Sequence, residues 1–231
     1  MAAAITPRTK IIFVCNPNNP TGTIVTAAEV EEFMAIVPDH VLVVMDEAYF
    51  EFVDSSVIFN AEYPDSLRYV REGRKNVLVL RTFSKIYGMA GLRLGYGVAC
   101  PDVMAALQKV RESFPVNLLA QAAGLAAMDD DEFLQRTVEM NRMGRLYLYR
   151  ELERLGLRCV RSHTNFVLVE VGPQAGRIFQ ELLRRGVIVR PCNGYDLPEF
   201  LRITVGSAEQ NARLIEALES VMQTLSAEHA V

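Results

Sequence analysis

The sequence predicts an α/β layer architecture followed by a smaller α+β domain. Three observations carry this. Short apolar, largely β-branched runs recur at Ile11–Cys15, Val41–Met45 and Asn76–Leu80, and runs without polar alternation suit strands buried on both faces. Helix-like segments lie between such runs in the first half, the pattern of a layered α/β sheet. The second half changes rhythm, with long helical stretches first and short strands interleaved with helices after them.

Taken in order, IIFVC (Ile11–Cys15) is stopped by NPNNPTG (Asn16–Gly22), dense in turn formers. Thr26 and Glu29 make a Thr-x-x-Glu capping box that opens a helix to about Val37, which Pro38-Asp39 ends. VLVVM (Val41–Met45) is the next strand. A looser polar-aromatic stretch runs to about Ser66. NVLVL (Asn76–Leu80) follows, then RLGYGVA (Arg93–Ala99), a weaker, glycine-rich strand. Pro101–Arg111, Leu118–Met128 and Glu132–Leu155 read as helices, and Gly156 stands where a C′ glycine belongs. Asn165–Val171 (strand), Pro173–Arg185 (helix), Val187–Arg190 and Phe200–Val205 (strands) and Ser207–Ser226 (helix) complete the chain. The division expected is a first domain over 1–130, a connecting helix over 131–155 and a small C-terminal domain over 156–231.

Composition bounds the function. The 231 residues are 50% apolar and 23% charged, a globular balance. Lys+Arg 24 against Asp+Glu 28 gives a net charge of −4, which makes a poor generic binder of nucleic acid or of anionic membranes. No apolar run approaches the ~18 residues of a membrane span, and the start, MAAAITPRTK, lacks the apolar segment of a secretory signal. Cys15, Cys100, Cys159 and Cys192 stand far apart without a CxxC pair, and the three histidines are scattered. That argues against a disulfide scaffold and against a metal site. The expected location is the cytoplasm.

The chemistry centres on Lys85 in Arg81-Thr82-Phe83-Ser84-Lys85, just past a buried strand. Lysine is seldom buried without a partner, and a partly desolvated amine forms Schiff bases with carbonyl compounds. The plain alternative is a surface lysine. Asp46 follows VLVVM, at the carboxyl end of a strand, where open α/β sheets bind ligands. A carboxylate there holds a protonated heterocyclic nitrogen by opposite charge; otherwise it caps the next segment. Pyridoxal phosphate (PLP) enzymes use such a pair, a carboxylate for the pyridine nitrogen and a lysine for the aldehyde. Arg93, with the hydroxyls of Thr82 and Ser84, suits a phosphate monoester, and Gly88 and Gly91 permit close backbone approach. Asn19, in NPNNPTG at the same carboxyl edge, and Tyr49, three residues past Asp46, suit the phenolic oxygen of such a ring.

NPNNPTG, DEAYFEF (Asp46–Phe52), RTFSKIYGMAGLRLGYGVA (Arg81–Ala99) and LRITVG (Leu201–Gly206) occur in that order. Together they resemble the fold-type I PLP-dependent aminotransferases, within them the histidinol-phosphate aminotransferase-like group, over almost the whole chain. The resemblance implies part of the PLP-binding large domain, a mostly parallel sheet between helices, followed by the small C-terminal domain. It implies PLP as cofactor, Lys85 as the Schiff-base lysine and proton shuttle, and Asp46 on the pyridine nitrogen. It places Asn19 and Tyr49 on the ring hydroxyl, and Ser84 and Arg93 on the phosphate with Thr82 as a further candidate. Arg202 would bind the α-carboxylate of glutamate or 2-oxoglutarate, and Arg190 a distal anionic group of the substrate. Asn165 would touch the carboxylate, with strand packing as an equal alternative. The implied reaction converts histidinol phosphate and 2-oxoglutarate to imidazole acetol phosphate and glutamate, in a homodimer. Aromatic aminotransferases and threonine-phosphate decarboxylases share these motifs and remain alternatives.

Members of that group carry well over a hundred residues ahead of NPNNPTG, including the first strands of the large sheet, a phosphate-binding loop and the aromatic residue that stacks on the ring. None of these is assignable here. The expectation is therefore a piece of a longer enzyme, weak or inactive alone, or else a non-catalytic remnant, with Ile11–Cys15 exposed as a sheet edge.

Overall fold

The computed structural model describes residues 1–60 and 62–229. The chain divides into two compact units: Met1–Pro17 with Ile24–Gln135, and Asn18–Thr23 with Arg136–Val231.

The first unit is built on strands β1 (Ile11–Cys15), β2 (Leu42–Asp46), β3 (Val77–Thr82) and β4 (Gly95–Ala99), in the order β1-β2-β3-β4. β1, β2 and β3 are parallel and β4 runs antiparallel to β3. The carboxyl ends of β1, β2 and β3 therefore share one edge. Between β1 and β2 runs α1 (Ala27–Ile36), opened by the expected capping box: Glu29 N donates to Thr26 Oγ1 (3.3 Å) and Thr26 N to Glu29 Oε2 (2.7 Å). Its buried face, Val30 and Met34, joins Val43, Met45, Val77, Val79 and Tyr69 in one core. β1 stands at the sheet edge, with Ile11 52% and Phe13 62% exposed.

The polar-aromatic stretch before Ser66 contains a one-turn helix, α2 (Ser55–Phe59), and α3 (Ser66–Arg71) follows directly. Asp65 caps α3, its Oδ1 accepting from Arg68 N (3.2 Å). Elements of five and six residues are too short to show a 3.6-residue period. α4 (Pro101–Val110) and α5 (Leu118–Met128) occupy the segments expected for them.

The second unit holds β5 (Arg158–Val160), β6 (Phe166–Glu170), β7 (Arg190–Pro191) and β8 (Phe200–Thr204) as an antiparallel sheet in the order β5-β6-β8-β7. With it go α7 (Ala175–Arg184), α8 (Ala208–His229) and most of α6 (Asp131–Arg154). The long helix is more than a connector. Leu148 and Leu152 are fully buried with Val167, Val169, Leu182 and Leu201, so α6 forms one wall of this core.

The strand expected over Val187–Arg190 is reduced to Arg190–Pro191. Gly186, with φ +73°, turns the chain after α7, and Val187 N returns to Leu182 O (2.9 Å). That residue closes the helix instead of joining the sheet. β5, three residues long and none of them buried, carries no pattern a sequence reading can use. No helix among the described residues is long and apolar enough to cross a membrane.

Candidate functional site

Asp46 is the last residue of β2, the strand flanked on both sides by parallel partners. Its Oδ1 accepts from Ala48 N (3.2 Å), and the Cys15 thiol, on the edge strand, lies 4.0 Å from Oδ2. Burial, and then the Asp46 charge, push that thiol's pKa up, so it stays a neutral neighbour.

Past the end of β3 the chain turns through Phe83–Gly91. Thr82 Oγ1 accepts from Ser84 N (3.0 Å) and donates to Leu94 O (3.3 Å). The Thr82 hydroxyl is thus engaged with backbone, where it fixes the start of the turn. Lys85 is half-buried, with Nζ 5.1 Å from the centroid of the buried Tyr49 ring. Arg93 has φ +57°, the left-handed region few non-glycine residues adopt; its Nη1 donates to Ala90 O (2.8 Å).

These residues share one cavity. Asp46, Thr82, Ser84, Lys85 and Arg93 line a space of about 370 Å³, with Ala48, Leu80, Arg81 and Ala90 completing the wall. That volume lies within the ~300–1,000 Å³ of small-molecule sites. A carboxylate, an amine, two hydroxyls and a guanidinium around one space suit a ligand with a basic ring nitrogen, a carbonyl and a phosphate.

Tyr49, in the same unit, is not part of that wall; the remaining expected residues, Asn19, Asn165, Arg190 and Arg202, belong to the second unit. There Asn18–Thr23, which holds all of NPNNPTG but its first two residues, is folded on itself and on the segment before β6. Asn18 N donates to Thr23 O (2.8 Å), Gly22 N to Asn18 O (2.7 Å), and His163 N to Gly22 O (2.7 Å). Gly22 has φ +74°, and a Cβ there would lie 2.3 Å from Ser162 Oγ. The loop therefore needs glycine for conformation and for space. Arg202, on β8, donates through Nη1 to Asn19 Oδ1, and its guanidinium stacks 5.0 Å from the Phe166 ring centroid. Arg190 is exposed and stands directly opposite Arg202 in the β7–β8 register. Asn165 is half-buried, and its main-chain oxygen accepts from Val205 N (2.9 Å).

The structure adds residues the sequence reading passed over. Glu47, beside Asp46, is 1% exposed, and its Oε2 accepts from Arg81 Nε (2.9 Å) and Nη2 (2.8 Å). Burial pushes the Glu47 carboxyl above the ordinary range. Asn16, also buried, pairs with Val25 through both amide atoms (3.0 Å each) and accepts from the Tyr63 hydroxyl. Opposite charges directly following two strand-like runs, VLVVMD and NVLVL, were the available signal for Glu47 and Arg81. Among the described residues, no cluster of three His, Cys, Asp or Glu is arranged to hold a metal ion.

Comparison with known proteins decides the family. The sequence profile described as "Aminotransferase class I and II" matches residues 1–218. This chain belongs to that family. It is 50% identical over 222 residues to a histidinol-phosphate aminotransferase of Moorella thermoacetica, covering 96% of this chain and 56% of that protein. A second histidinol-phosphate aminotransferase, from Ralstonia nicotianae, is 52% identical over 225 residues, 96% of this chain and 59% of the relative. Among solved structures, the histidinol-phosphate aminotransferase of Sinorhizobium meliloti, in complex with pyridoxal-5'-phosphate, superposes with a TM-score of 0.85 at 30% identity. It covers 94% of this chain and 58% of that one. The chain thus spans a little under three-fifths of the length of these relatives.

Proposed function

We propose that the chain is part of a PLP-dependent aminotransferase that moves the amino group of histidinol phosphate to 2-oxoglutarate. The observation that carries the reading is the single cavity at the carboxyl ends of β2 and β3 where Asp46, Lys85, Ser84, Thr82 and Arg93 meet. When bound, PLP supplies an aldehyde that bonds to amines and a pyridinium ring that takes up the electron pair released at the substrate's Cα.

Each side chain has a task that its chemistry suits. Asp46 holds the proton on the ring nitrogen through opposite charge. Arg93 and the Ser84 hydroxyl, with Thr82 behind them, take the phosphate. Tyr49 and Asn19 donate to the ring oxygen. Lys85 is the nucleophile that anchors the cofactor, and, once released, its amine carries the proton from the substrate's Cα. Arg202 takes the α-carboxylate of the keto-acid acceptor, with Asn165 beside it in the same role. Arg190, opposite Arg202 on the neighbouring strand, takes the distal anionic group, phosphate or second carboxylate. Two arginines in register favour substrates that are anionic at both ends. The assembly proposed is a homodimer, supported by the apolar side chains exposed on and beside α4 and α5, such as Val110, Phe114 (97% exposed), Leu118 and Leu119.

The test is a visible absorbance titration of the chain with PLP beside Lys85→Ala. The expected result is a saturable band of the lysine-bound cofactor that the variant lacks. A saturable band that persists in Lys85→Ala would overturn the assignment.

A further inference from the structure

Arg81, in the wall of the candidate cavity, forms with the buried Glu47 an ion pair to which none of the steps above gives a task. Glu47 follows Asp46 directly, and its backbone N donates to Leu80 O (2.9 Å), past the last paired residue of β2. Its side chain then accepts twice from Arg81, the next residue of β3. The Arg81 guanidinium is held on another side by the Phe50 ring, 3.8 Å from Cζ to centroid. From Arg81 the constraint continues along the chain: Thr82 Oγ1 fixes Ser84 N, and Lys85 comes next. Main-chain and side-chain bonds together thus tie the residue after Asp46 to the strand that leads to Lys85.

Stability is a poor reason for such a pair. Desolvating both charges cancels much of their attraction, and apolar pairs of similar volume hold folds as well or better. What an ion pair adds is a directional bond, made here by two N–H groups on one carboxylate oxygen.

We propose that Glu47 and Arg81 are positioning residues that lock the ends of β2 and β3 so that Asp46 and Lys85 keep a fixed spacing for one rigid cofactor. The inference rests on the PLP reading above. It makes a prediction that a purely structural pair does not: stability and cofactor affinity come apart when the pair is replaced by apolar side chains.

The experiment compares the parent chain with Glu47→Leu/Arg81→Met by thermal unfolding, PLP titration and amide hydrogen exchange without cofactor. The double variant is expected to keep or raise the unfolding midpoint, yet to bind PLP about tenfold more weakly or worse. Without cofactor, the Glu47 and Ser84 amides are expected to exchange about tenfold faster or more, while those of Val43–Met45 and Val77–Val79 hold their rates. A double variant with the parent's midpoint, PLP affinity and exchange at Glu47 and Ser84 overturns the proposal. If the double variant fails to fold, Glu47→Gln decides. Faster exchange confined to the two amides supports the lock, and parental exchange refutes it. A parent chain that gives no PLP band refutes cofactor binding by this part of the enzyme alone, and the exchange rates at Glu47 and Ser84 then judge the lock.

Discussion

Replacing Glu51 with Gln should make the chain more stable at neutral and alkaline pH. Glu51 lies beside the Glu47–Arg81 pair with its Oε2 buried and without a hydrogen-bond partner. Burial pushes its carboxyl from the ordinary 4.5 up to about 7, with the Glu47 charge adding to the rise and Arg81 opposing it. In the folded chain Glu51 therefore binds a proton that the unfolded chain has already lost between those two pH values. Stability falls as pH rises through that window and levels off above about 7. From 4.5 to about 7, at ~1.4 kcal/mol per tenfold, the loss is about 3.5 kcal/mol as a ceiling. Gln resembles the protonated acid in shape and does not titrate. Urea unfolding followed by circular dichroism across this range should show Glu51→Gln matching the parent at the acid end. At the alkaline end the variant should exceed it by up to that amount. Parallel pH profiles for parent and variant would refute the argument.

Three further substitutions test the frame around the site. Gly22→Ala places a Cβ 2.3 Å from Ser162 Oγ at a φ of +74° and should cost about 2 kcal/mol of unfolding free energy. Thr26→Ala removes the side-chain acceptor for Glu29 N in the α1 capping box and leaves the bond from the backbone N of residue 26 to Glu29, for a loss of about 1 kcal/mol in the same assay. Leu148→Ala empties a fully buried position in the core of the second unit and should lower stability by roughly 2–5 kcal/mol, visible as a reduced denaturation midpoint.

Much of the fold was legible because its signals are local. Thr26 and Glu29 announce α1, and both bonds form. VLVVM announces a buried strand, which occurs one residue later, over Leu42–Asp46. β5, α2 and α3 were not legible, since three to six residues carry no period. The strand expected at Val187 failed for another reason: Gly186 lends Val187 to the closure of α7, a competition no apolar run reveals. At the site, Asp46 and Lys85 were readable from their places just beyond buried strands, and the structure gives them one cavity. Glu47 was not, because a charged residue after a strand reads as a solvated one until its burial is known. Nor does the sequence show that the Thr82 hydroxyl is bonded to backbone, or that Asn19 accepts from Arg202.

The six residues Asn18–Thr23 are packed as part of a unit whose other members begin at Arg136. That unit is thus discontinuous in the gene. A clone cut before Arg136 would encode the β5–β8 sheet and its three helices yet omit the acceptor for Arg202 and the glycine seated on Ser162. Supplying Asn18–Thr23 as a separate peptide would also incur the entropy of association that covalent linkage avoids. Domain-swap or grafting work on this chain therefore has to carry the loop along with the C-terminal part, for example by circular permutation that joins Asn18–Thr23 to the new end. During synthesis the loop emerges more than a hundred residues ahead of its partners, so the second unit can close only after β8 has left the ribosome.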